Sequence, residues 1–452
     1  RDYEPIFPGI IERQTAFAKS LAAELSERCC CEVVFDAPAF GRESIEECVI
    51  SYNNRALDGI LFVMLTYNCG GWLVKALQMN RLPLALAVVQ PDDFVSACWE
   101  ELDFTVNQGI HGAQDNANAI IRSGVPCQFF AGSRAEPRFF DFVRDFSKAC
   151  RAKKRLERMK TGVIAVMGGM NDITHDSFAL LRRIGPELEH DSLGGLAVRM
   201  RDVSDAEIDA RIARDRGDFD VDPKLKVEDH AEAVRMYLAF RRYMEDRKLD
   251  ALTAHYGVFA EDGRFRQLPL YAASALMNDG YGYAAEGDAV CASLVSAAHA
   301  IGDNDAGFTE MYAMDHRLNA LCFCHAGEGN YGIARKGGKP RLIDKVFLEG
   351  GLGNPPTFVF TPEPGPATVV ALGDMGGGRF RLLCSAGEIL DKDDLARCEM
   401  PYFFFRPKTG AVPCVERWLE LGGPHHEAFN PGDTSARWKM LCSMLDIEFY
   451  PV

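Results

Sequence analysis

This sequence has fewer basic than acidic residues, and it lacks long apolar runs. The chain carries 50 Lys and Arg residues against 65 Asp and Glu residues, which gives a formal net charge of -15. Such a surface repels polyphosphates and anionic lipids, so we expect neither nucleic acid nor a membrane surface as a partner. No window reaches the roughly 20 apolar residues that a transmembrane helix needs. A membrane-spanning protein is therefore not expected.

The 15 cysteines lack the paired CxxC spacing that builds a zinc site or a redox couple. Their odd number and scattered positions favour free thiols in a reducing compartment. Cys322 and Cys324 are interpreted as small core residues. The first residues, 1–5, show no basic segment followed by an apolar stretch, which an export signal requires. We therefore expect a cytoplasmic protein.

The first third of the chain alternates amphipathic segments with short apolar ones. The pattern predicts two helices and three strands, namely helices at residues 14–27 and 72–79 and strands at residues 31–36, 59–65 and 84–89. This alternation is typical of a parallel sheet covered by helices. A basic helical segment at residues 141–159 follows, which we interpret as a solvated helix between two domains.

A second α/β segment and then a β-rich segment make up the rest of the chain. The second segment has predicted strands and helices at residues 162–167 (strand), 194–200 (strand), 227–248 (helix) and 287–300 (helix). The last segment has predicted strands at residues 357–361, 367–372, 379–384 and 402–406, separated by glycine and proline.

A chain of 452 residues is too long for a single core, so we expect several domains. We predict an α/β protein with two doubly wound, Rossmann-like domains followed by a mostly antiparallel, β-barrel-like domain. The predicted domains are residues 1–158, 159–301 and 302–452.

Four short motifs bring acidic and imidazole side chains to the predicted ends of elements. The residues concerned are Glu286, Glu310, His325 and the pair His425-His426. Glycines beside them allow close approach of the backbone, and element ends are where scaffolds present functional groups. Mixed oxygen and nitrogen ligands suit manganese, cobalt, magnesium or iron. From the residues alone, the alternative of ordinary surface glutamates and structural histidines stays open.

Longer stretches around these residues form an ordered pattern. In chain order, its motifs are residues 66–67, 107–112, 259–269, 275–282, 286–288, 308–312, 324–328 and 421–426. In this order and at this spacing, the motifs resemble the L-arabinose isomerases, within the L-arabinose/L-fucose isomerase superfamily of metal-dependent aldose–ketose isomerases. The resemblance touches all three predicted domains.

The resemblance implies a divalent metal ion, most often Mn²⁺ with Co²⁺ or Mg²⁺ as alternatives, held by four side chains. These are Glu286, Glu310, His325 and His426. It also implies that Glu286 and Glu310 are the catalytic acid/base pair. Isomerisation of an open-chain aldose through a cis-enediol(ate) needs a carboxylate to move the proton and a cation to stabilise the oxygens.

The resemblance further implies a sugar substrate and a homo-oligomer, a hexamer in the family. The candidate sugar-binding residues are Tyr67, Gln108, His111, Met170, Phe259 and His425. For His111 and His425, a purely structural hydrogen-bonding role stays open. Met170 belongs to a glycine motif at residues 168–172 that lacks the dinucleotide fingerprint, so a nicotinamide cofactor is not expected.

Residues 7–14 depart from the family segment that helps to form the sugar pocket. We therefore expect the sugar to differ from that of the family. Arg13 is a candidate for binding an anionic group of the sugar, because guanidinium binds such groups in a planar fork.

Two other classes of function stay open. The first is a non-catalytic sugar-binding or regulatory protein. The second is an epimerase or lyase that uses the same enediolate.

Overall fold

The structure is a computed structural model, and it describes residues 2–303, 305–347 and 352–452. Its contacts divide the chain into two units, Arg1–Arg151 and Ala152–Val452. Within the described residues, no helix is both long enough and apolar enough to cross a membrane.

The first unit contains a three-stranded parallel sheet in the order β1-β2-β3. Its strands are β1 (Ile60–Val63), β2 (Leu84–Val88) and β3 (Cys127–Ala131). Its helices are α1 (Ile10–Arg28), α2 (Arg42–Asn53), α3 (Val74–Met79), α4 (Glu101–Asn107), α5 (Gly109–Arg122) and the larger part of α6 (Pro137–Arg158), which continues past Arg151. The central strand β2 is a continuous apolar run, as expected for a parallel strand with both faces covered. The predicted parallel sheet with helices is confirmed here.

One predicted strand in this unit is wrong. Residues 31–36 lie within the described range and form a loop without ladder hydrogen bonds. Cys31 and Val33 pack, half-buried, against a core that contains Phe17, Leu21 and Phe139. Burial of the apolar side chains therefore explains the pattern without strand pairing, because propensity for a strand reflects packing as much as backbone preference.

The second unit begins with a four-stranded parallel sheet in the order β5-β4-β7-β8. The strands of this part are β4 (Lys160–Ile164), β5 (Glu187–His190), β6 (Asp220–Val221), β7 (Ala251–Ala254) and β8 (Gly282–Ala285). The helices are α7 (Ser177–Arg183), α8 (Leu193–Arg201), α9 (Asp205–Asp218), α10 (Val227–Arg247), α11 (Gly257–Asp262), α12 (Leu270–Asn278) and α13 (Ala289–Ile301).

The strand predicted at residues 194–200 is wrong, because these residues form α8. Ser192 caps the helix by accepting a hydrogen bond from the amide of Gly194 at 3.3 Å. The buried residues Leu193, Leu196 and Met200 recur with the helical spacing of three and four. The two adjacent glycines obscured this period in the sequence.

The remainder of the second unit is rich in strands. They are β9 (Gly307–Asp315), β10 (Ala320–Cys324), β11 (Arg341–Asp344), β12 (Pro356–Val359), β13 (Gly365–Asp374), β14 (Phe380–Ile389), β15 (Tyr402–Pro407), β16 (His426–Pro431) and β17 (Glu448–Pro451). Two helices that the sequence analysis did not predict are α14 (Ala411–Glu420) and α15 (Ser435–Leu445).

Six of these strands pair in a closed ring. The order is β13-β16-β9-β10-β15-β14, and β14 pairs again with β13, with every step antiparallel. Strand β17 adds to β14 in parallel. The predicted large, mostly antiparallel sheet at the C-terminal end is therefore confirmed.

Helix α13 lies between the parallel sheet and the antiparallel ring. Every residue from Ala289 to Ile301 is buried, and the helix packs against β7 and β8 as well as against β9, β13 and β16. A helix that is apolar all round belongs to the interior of a large unit. The N-terminus of α13 thereby holds the turn after β8 close to the start of β16.

Candidate metal centre

Glu286 lies in a strained turn at the carboxyl end of β8. Its backbone φ is +65°, a left-handed conformation that is unusual for a residue with a side chain. The next residue, Gly287, packs so closely that an added Cβ would lie 2.5 Å from the carbonyl oxygen of Ala165. The amide of Met167 donates to the carbonyl of Glu286 at 2.8 Å. The turn is thus fixed against the end of β4.

Strand register places the second glutamate beside a histidine. Glu310 on β9 and His426 on β16 are direct Cα partners in an antiparallel pair. Directly opposed residues share a face of the sheet, so both side chains point the same way. Phe308 lies on that face, with ring centroids 5.0 Å from His426 and 4.8 Å from His325.

Two carboxylates fix the orientation of the buried imidazoles. His325 Nδ1 lies 2.7 Å from Glu328 Oε2, and His426 Nδ1 lies 3.0 Å from Asp288 Oδ2. A carboxylate at Nδ1 holds the proton there and leaves Nε2 as an acceptor or metal ligand. Asp288 also caps α13 through a hydrogen bond from Cys291 N at 2.8 Å.

The freed Nε2 atoms converge on the two glutamates. His426 Nε2 lies 3.5 Å from Glu310 Oε1 and 3.6 Å from Glu286 Oε2, and His325 Nε2 lies 3.9 Å from Glu310 Oε2. Two groups of donor atoms, Glu286-His425-His426 and Glu310-His325-His426, each lie within 4.8 Å. Among the described residues, Glu286 Oε2 and His426 Nε2 are buried without a hydrogen-bond partner. Orphaned oxygen and nitrogen donors that face each other fit a divalent cation.

A third imidazole lies at the edge of this cluster. His425 Nδ1 lies 2.7 Å from Asp172 Oδ2, and the same oxygen accepts from the His425 amide at 3.0 Å. His425 Nε2 lies 3.6 Å from Glu310 Oε1. The side chain is half-exposed, unlike those of His325 and His426. It can therefore meet both the cluster and a ligand that arrives from solvent.

Charge in the cluster is balanced between carboxylates and imidazoles. Burial opposes ionisation of Glu286, but the nearby imidazoles outweigh it and hold its pKa below the usual value. Burial opposes protonation of His325, but Glu328 outweighs it and raises the pKa. Glu286 and Asp172 raise the pKa of His425 to about 9. Glu286 is thus ionised at neutral pH, as a proton acceptor must be.

Comparison with known protein families finds the same family in both the α/β part and the strand-rich part of the second unit. A model of the L-arabinose isomerase central domain matches residues 175–304, and a model of the L-arabinose isomerase C-terminal domain matches residues 305–448. The L-arabinose isomerase of Acidothermus cellulolyticus is 26% identical over 404 residues, covering 86% of this chain and 79% of that protein. The L-arabinose isomerase of Clostridium beijerinckii is 24% identical over 434 residues, covering 94% of this chain and 87% of that protein.

This chain belongs to the L-arabinose isomerase superfamily. It is accordingly an enzyme of the aldose–ketose isomerase class. The L-arabinose isomerase of Arthrobacter sp. is a further relative, 27% identical over 87% of this chain and 78% of that protein.

The sequence analysis named the four candidate ligands but missed the carboxylates that orient the histidines. Asp172, Asp288 and Glu328 each accept a hydrogen bond from a histidine of the cluster. Glu328 had a local signal, since it follows His325 by three residues. Asp288 and Asp172 had none, because their partners lie 138 and 253 residues away along the chain.

Two other candidate residues of the second unit have different surroundings. Met170 is half-buried in the segment after β4, which also carries Asp172. Phe259 has no exposed surface and packs against Phe265, with ring centroids 5.1 Å apart. This burial speaks against direct contact between Phe259 and a sugar.

The first unit holds the remaining candidates of this isomerase. Tyr67 and His111 stack with ring centroids 5.0 Å apart and planes 20° apart. Gln108 lies between α4 and α5, and its Nε2 is buried without a hydrogen-bond partner among the described residues. Arg13 forms loose ion pairs with Asp92 at 3.9 Å and Asp103 at 3.8 Å.

Proposed function

We propose that this isomerase interconverts an open-chain aldose and its ketose at the cluster of Glu286, Glu310, His325 and His426. The observation that supports this proposal is that His426 Nε2 lies 3.6 Å from Glu286 Oε2 and 3.5 Å from Glu310 Oε1, with His325 in the second donor group and orphaned donor atoms on Glu286 and His426. A sugar-binding protein has no need of two carboxylates beside one buried imidazole.

Glu286 and Glu310 act as the acid/base pair in this proposal. Isomerisation moves a proton between adjacent carbons, which requires a carboxylate within hydrogen-bond reach of the reacting atoms. The lowered pKa of Glu286 keeps it ready to accept a proton. A bound divalent cation would supply positive charge for the sugar oxygens that become negative in the enediolate.

The remaining polar groups orient the reacting ones. Asp288 and Glu328 hold the protons of His426 and His325 at Nδ1, so that Nε2 faces the cluster. Asp172 holds His425 in the same way. His425 differs from the two buried imidazoles in being half-exposed. Its pKa is raised to about 9, so it is protonated on both nitrogens at neutral pH, and its Nε2 is a hydrogen-bond donor for a sugar hydroxyl.

We propose Mn²⁺ as the working ion, with Co²⁺ and Mg²⁺ as alternatives. Oxygen donors of Glu286 and Glu310 suit all three ions, and imidazole nitrogens suit the transition metals better than Mg²⁺. The donor groups identified at the cluster contain no thiolate, which makes a structural zinc site of the cysteine type a poor fit.

The sugar is proposed to differ from L-arabinose, on which the relatives are named to act. The departure at residues 7–14 supports this, and Arg13 is the proposed partner of an anionic group. Such a group would have to compete with Asp92 and Asp103 for the guanidinium. Arg13→Met should therefore lower turnover of anionic aldoses more than that of neutral ones, and equal losses would exclude this role.

Tyr67, Gln108 and His111 remain proposed sugar contacts, together with Met170.

We also propose a cytoplasmic homo-oligomer, a hexamer by resemblance to the family. Its three proposed domains are residues 1–158, 159–301 and 302–452. The two α/β domains would each be doubly wound, and the third would be barrel-like. The closed ring of antiparallel strands supports the last of these statements.

A metal-exchange assay tests the proposed function. The protein is stripped with a chelator and restored with Mn²⁺, Co²⁺, Mg²⁺ or Zn²⁺, and each form is mixed with pentoses, hexoses and anionic sugars in deuterated water. Metal-dependent ketose that carries deuterium at carbon 1, seen by nuclear magnetic resonance, supports the isomerase. A carbon-2 epimer or a cleaved fragment would replace it with an epimerase or a lyase. Sugar binding without conversion under any metal would indicate a binding protein.

A further inference from the structure

Two thiols lie side by side on strand β10. Cys322 and Cys324 are separated by one residue, so their side chains point to the same face of the sheet. Their Cα partners on β15, Phe404 and Tyr402, belong with Cys324 to a small apolar cluster on this face. Phe323, between the two cysteines, instead belongs to the main core. The pair therefore occupies the face of β10 that turns away from the main core.

The two thiols are neighbours on this face. Alternate residues of a strand lie next to each other on one face, so the side chain of Cys322 is adjacent to that of Cys324. Cys398 lies close enough to both for electrostatic interaction, and all three are free thiols. Cys324 is buried, whereas Cys322 is half-buried and thus retains a path to solvent. Adjacent free thiols with one accessible member form a bidentate sulfur donor.

A surface groove lies beside the apolar cluster that contains the cysteines. It has a volume of about 470 Å³, and it is lined by two leucines, Leu318 and Leu390, and by the charged residues Asp391, Lys392, Asp393, Asp394 and Arg406. Leu318 and Leu390 also pack against the apolar cluster that contains the cysteines. The two leucines therefore connect the groove, whose other lining residues are charged, to the cluster against which the half-buried Cys322 packs.

We propose that Cys322 and Cys324 form a binding site for soft, thiophilic ions, with trivalent arsenic as the chemical class that suits two adjacent thiols. We further infer that occupation of this site weakens the neighbouring divalent-metal centre. The first statement is independent of the proposed function, and the second rests on the metal centre of that function.

The reaction with a trivalent arsenical is balanced without an oxidant. Phenylarsine oxide carries an arsenic–oxygen bond, and two S–H groups exchange with it. Two As–S bonds form, the arsenic–oxygen bond breaks, and the two thiol protons leave with the oxygen as one water molecule. Arsenic stays trivalent throughout. The product is a ring in which arsenic bridges the two sulfur atoms. A single thiol cannot close this ring, so a stable adduct indicates two adjacent thiols.

The link to the metal centre follows from the register of β9 and β10. Cys324 is the direct Cα partner of Glu310 and shares its face of the sheet. His325 is the next residue after Cys324. A bulky adduct on Cys324 must therefore displace atoms beside two proposed ligands. Disturbance of groups that support ligands typically weakens metal binding by about 10- to 100-fold.

The experiment counts arsenical adducts on the folded full-length chain by intact mass spectrometry. Phenylarsine oxide is added to the wild type and to Cys322→Ser, Cys324→Ala and Cys398→Ser, each checked for folding by thermal melting. We expect the first two variants to lose one adduct relative to the wild type and Cys398→Ser to keep it. Cys30→Ser is the control for an exposed thiol in the first unit.

Equal adduct numbers in the wild type and in Cys322→Ser would overturn the site, as would an adduct that depends on Cys398 but not on Cys324. Mn²⁺ titration of the modified and unmodified wild type then tests the link. We expect about tenfold weaker binding or worse after modification. Unchanged affinity would overturn the link, whereas absence of Mn²⁺ binding before modification would count against the proposed function and leave the adduct count to decide the thiol site.

Discussion

The proposed centre takes its residues from two regions that position side chains in different ways. On the parallel-sheet side, Glu286 stands in a left-handed turn that Gly287 packs against the end of β4. On the side of the antiparallel ring, Glu310 and His426 stand on paired strands with ordinary register. Positioning by a strained turn depends on one close backbone approach, whereas positioning by register is shared among many ladder hydrogen bonds. The position of Glu286 should therefore be easier to disturb than that of Glu310 by a substitution that changes no proposed ligand.

The largest effect is expected on the ring side, from Glu310→Gln. The substitution keeps the shape of the side chain but removes one of the two proposed acid/base groups, so turnover should fall by about 100- to 10,000-fold. The melting temperature should stay near that of the wild type. Glu420→Gln, on the exposed surface of α14, is the matched control. Near wild-type turnover of Glu310→Gln would remove this residue from the mechanism.

Asp288→Asn tests the contact between the N-terminus of α13, which follows the Glu286 turn, and His426 on the antiparallel ring. Asparagine is as good an N-cap as aspartate, so α13 should keep its start, but the charge behind His426 is lost. Mn²⁺ affinity should fall by about 10- to 100-fold. The control is Asp176→Asn, the same change at the N-cap of α7. If both variants bind Mn²⁺ equally well in calorimetry, Asp288 has no role beyond capping.

Gly287→Ala sharpens the comparison on the sheet side. The added Cβ would lie 2.4 Å from Val166 Cα at a φ of +93°, so the turn must shift. We expect a loss of about 1 to 3 kcal/mol in the free energy of unfolding, together with weaker Mn²⁺ binding. Gly338→Ala is the control, since no atom lies within 4 Å of its added Cβ. Equal denaturation midpoints for the two variants would contradict the strained-turn argument.

Asp172→Asn should have the smallest effect. It weakens the contact that orients His425, and we expect a cost of roughly 0.5 to 1.5 kcal/mol in sugar binding. KM should rise while kcat stays nearly unchanged, because His425 is proposed to hold a hydroxyl and not to move the reacting proton. A fall in kcat at constant KM would instead place His425 in the chemistry.

The candidate ligands and part of the fold could be predicted from the sequence. Glu286, Glu310, His325 and His426 stood in motifs whose order and spacing carry family information, and the structure brings their donor atoms together. Most of the elements that were predicted from hydrophobic periodicity correspond to a helix or strand of the same type, although many other elements of both units were not predicted. The pattern failed where side-chain burial did not need ladder pairing, as at residues 31–36, and where glycines masked a helical period, as in α8.

The supporting residues could not be predicted because they depend on contacts between distant parts of the chain. Asp288 meets His426 only because α13 packs against β8 and β16 together. Asp172 reaches His425 from the segment after β4. Helices α14 and α15 were missed because glycine, proline and strands dominate the composition around them. Tertiary packing decides such details, and local pattern does not record it.

The central claim is that Glu286 and Glu310, from the two different regions, hold one divalent ion. The most direct test is Mn²⁺ binding to chelator-stripped protein, measured by electron paramagnetic resonance, for the wild type, Glu286→Gln and Glu310→Gln. We predict one Mn²⁺ per chain in the wild type and markedly weaker binding in both variants. Absence of stoichiometric Mn²⁺ in the wild type, or binding that neither substitution changes, would contradict the claim.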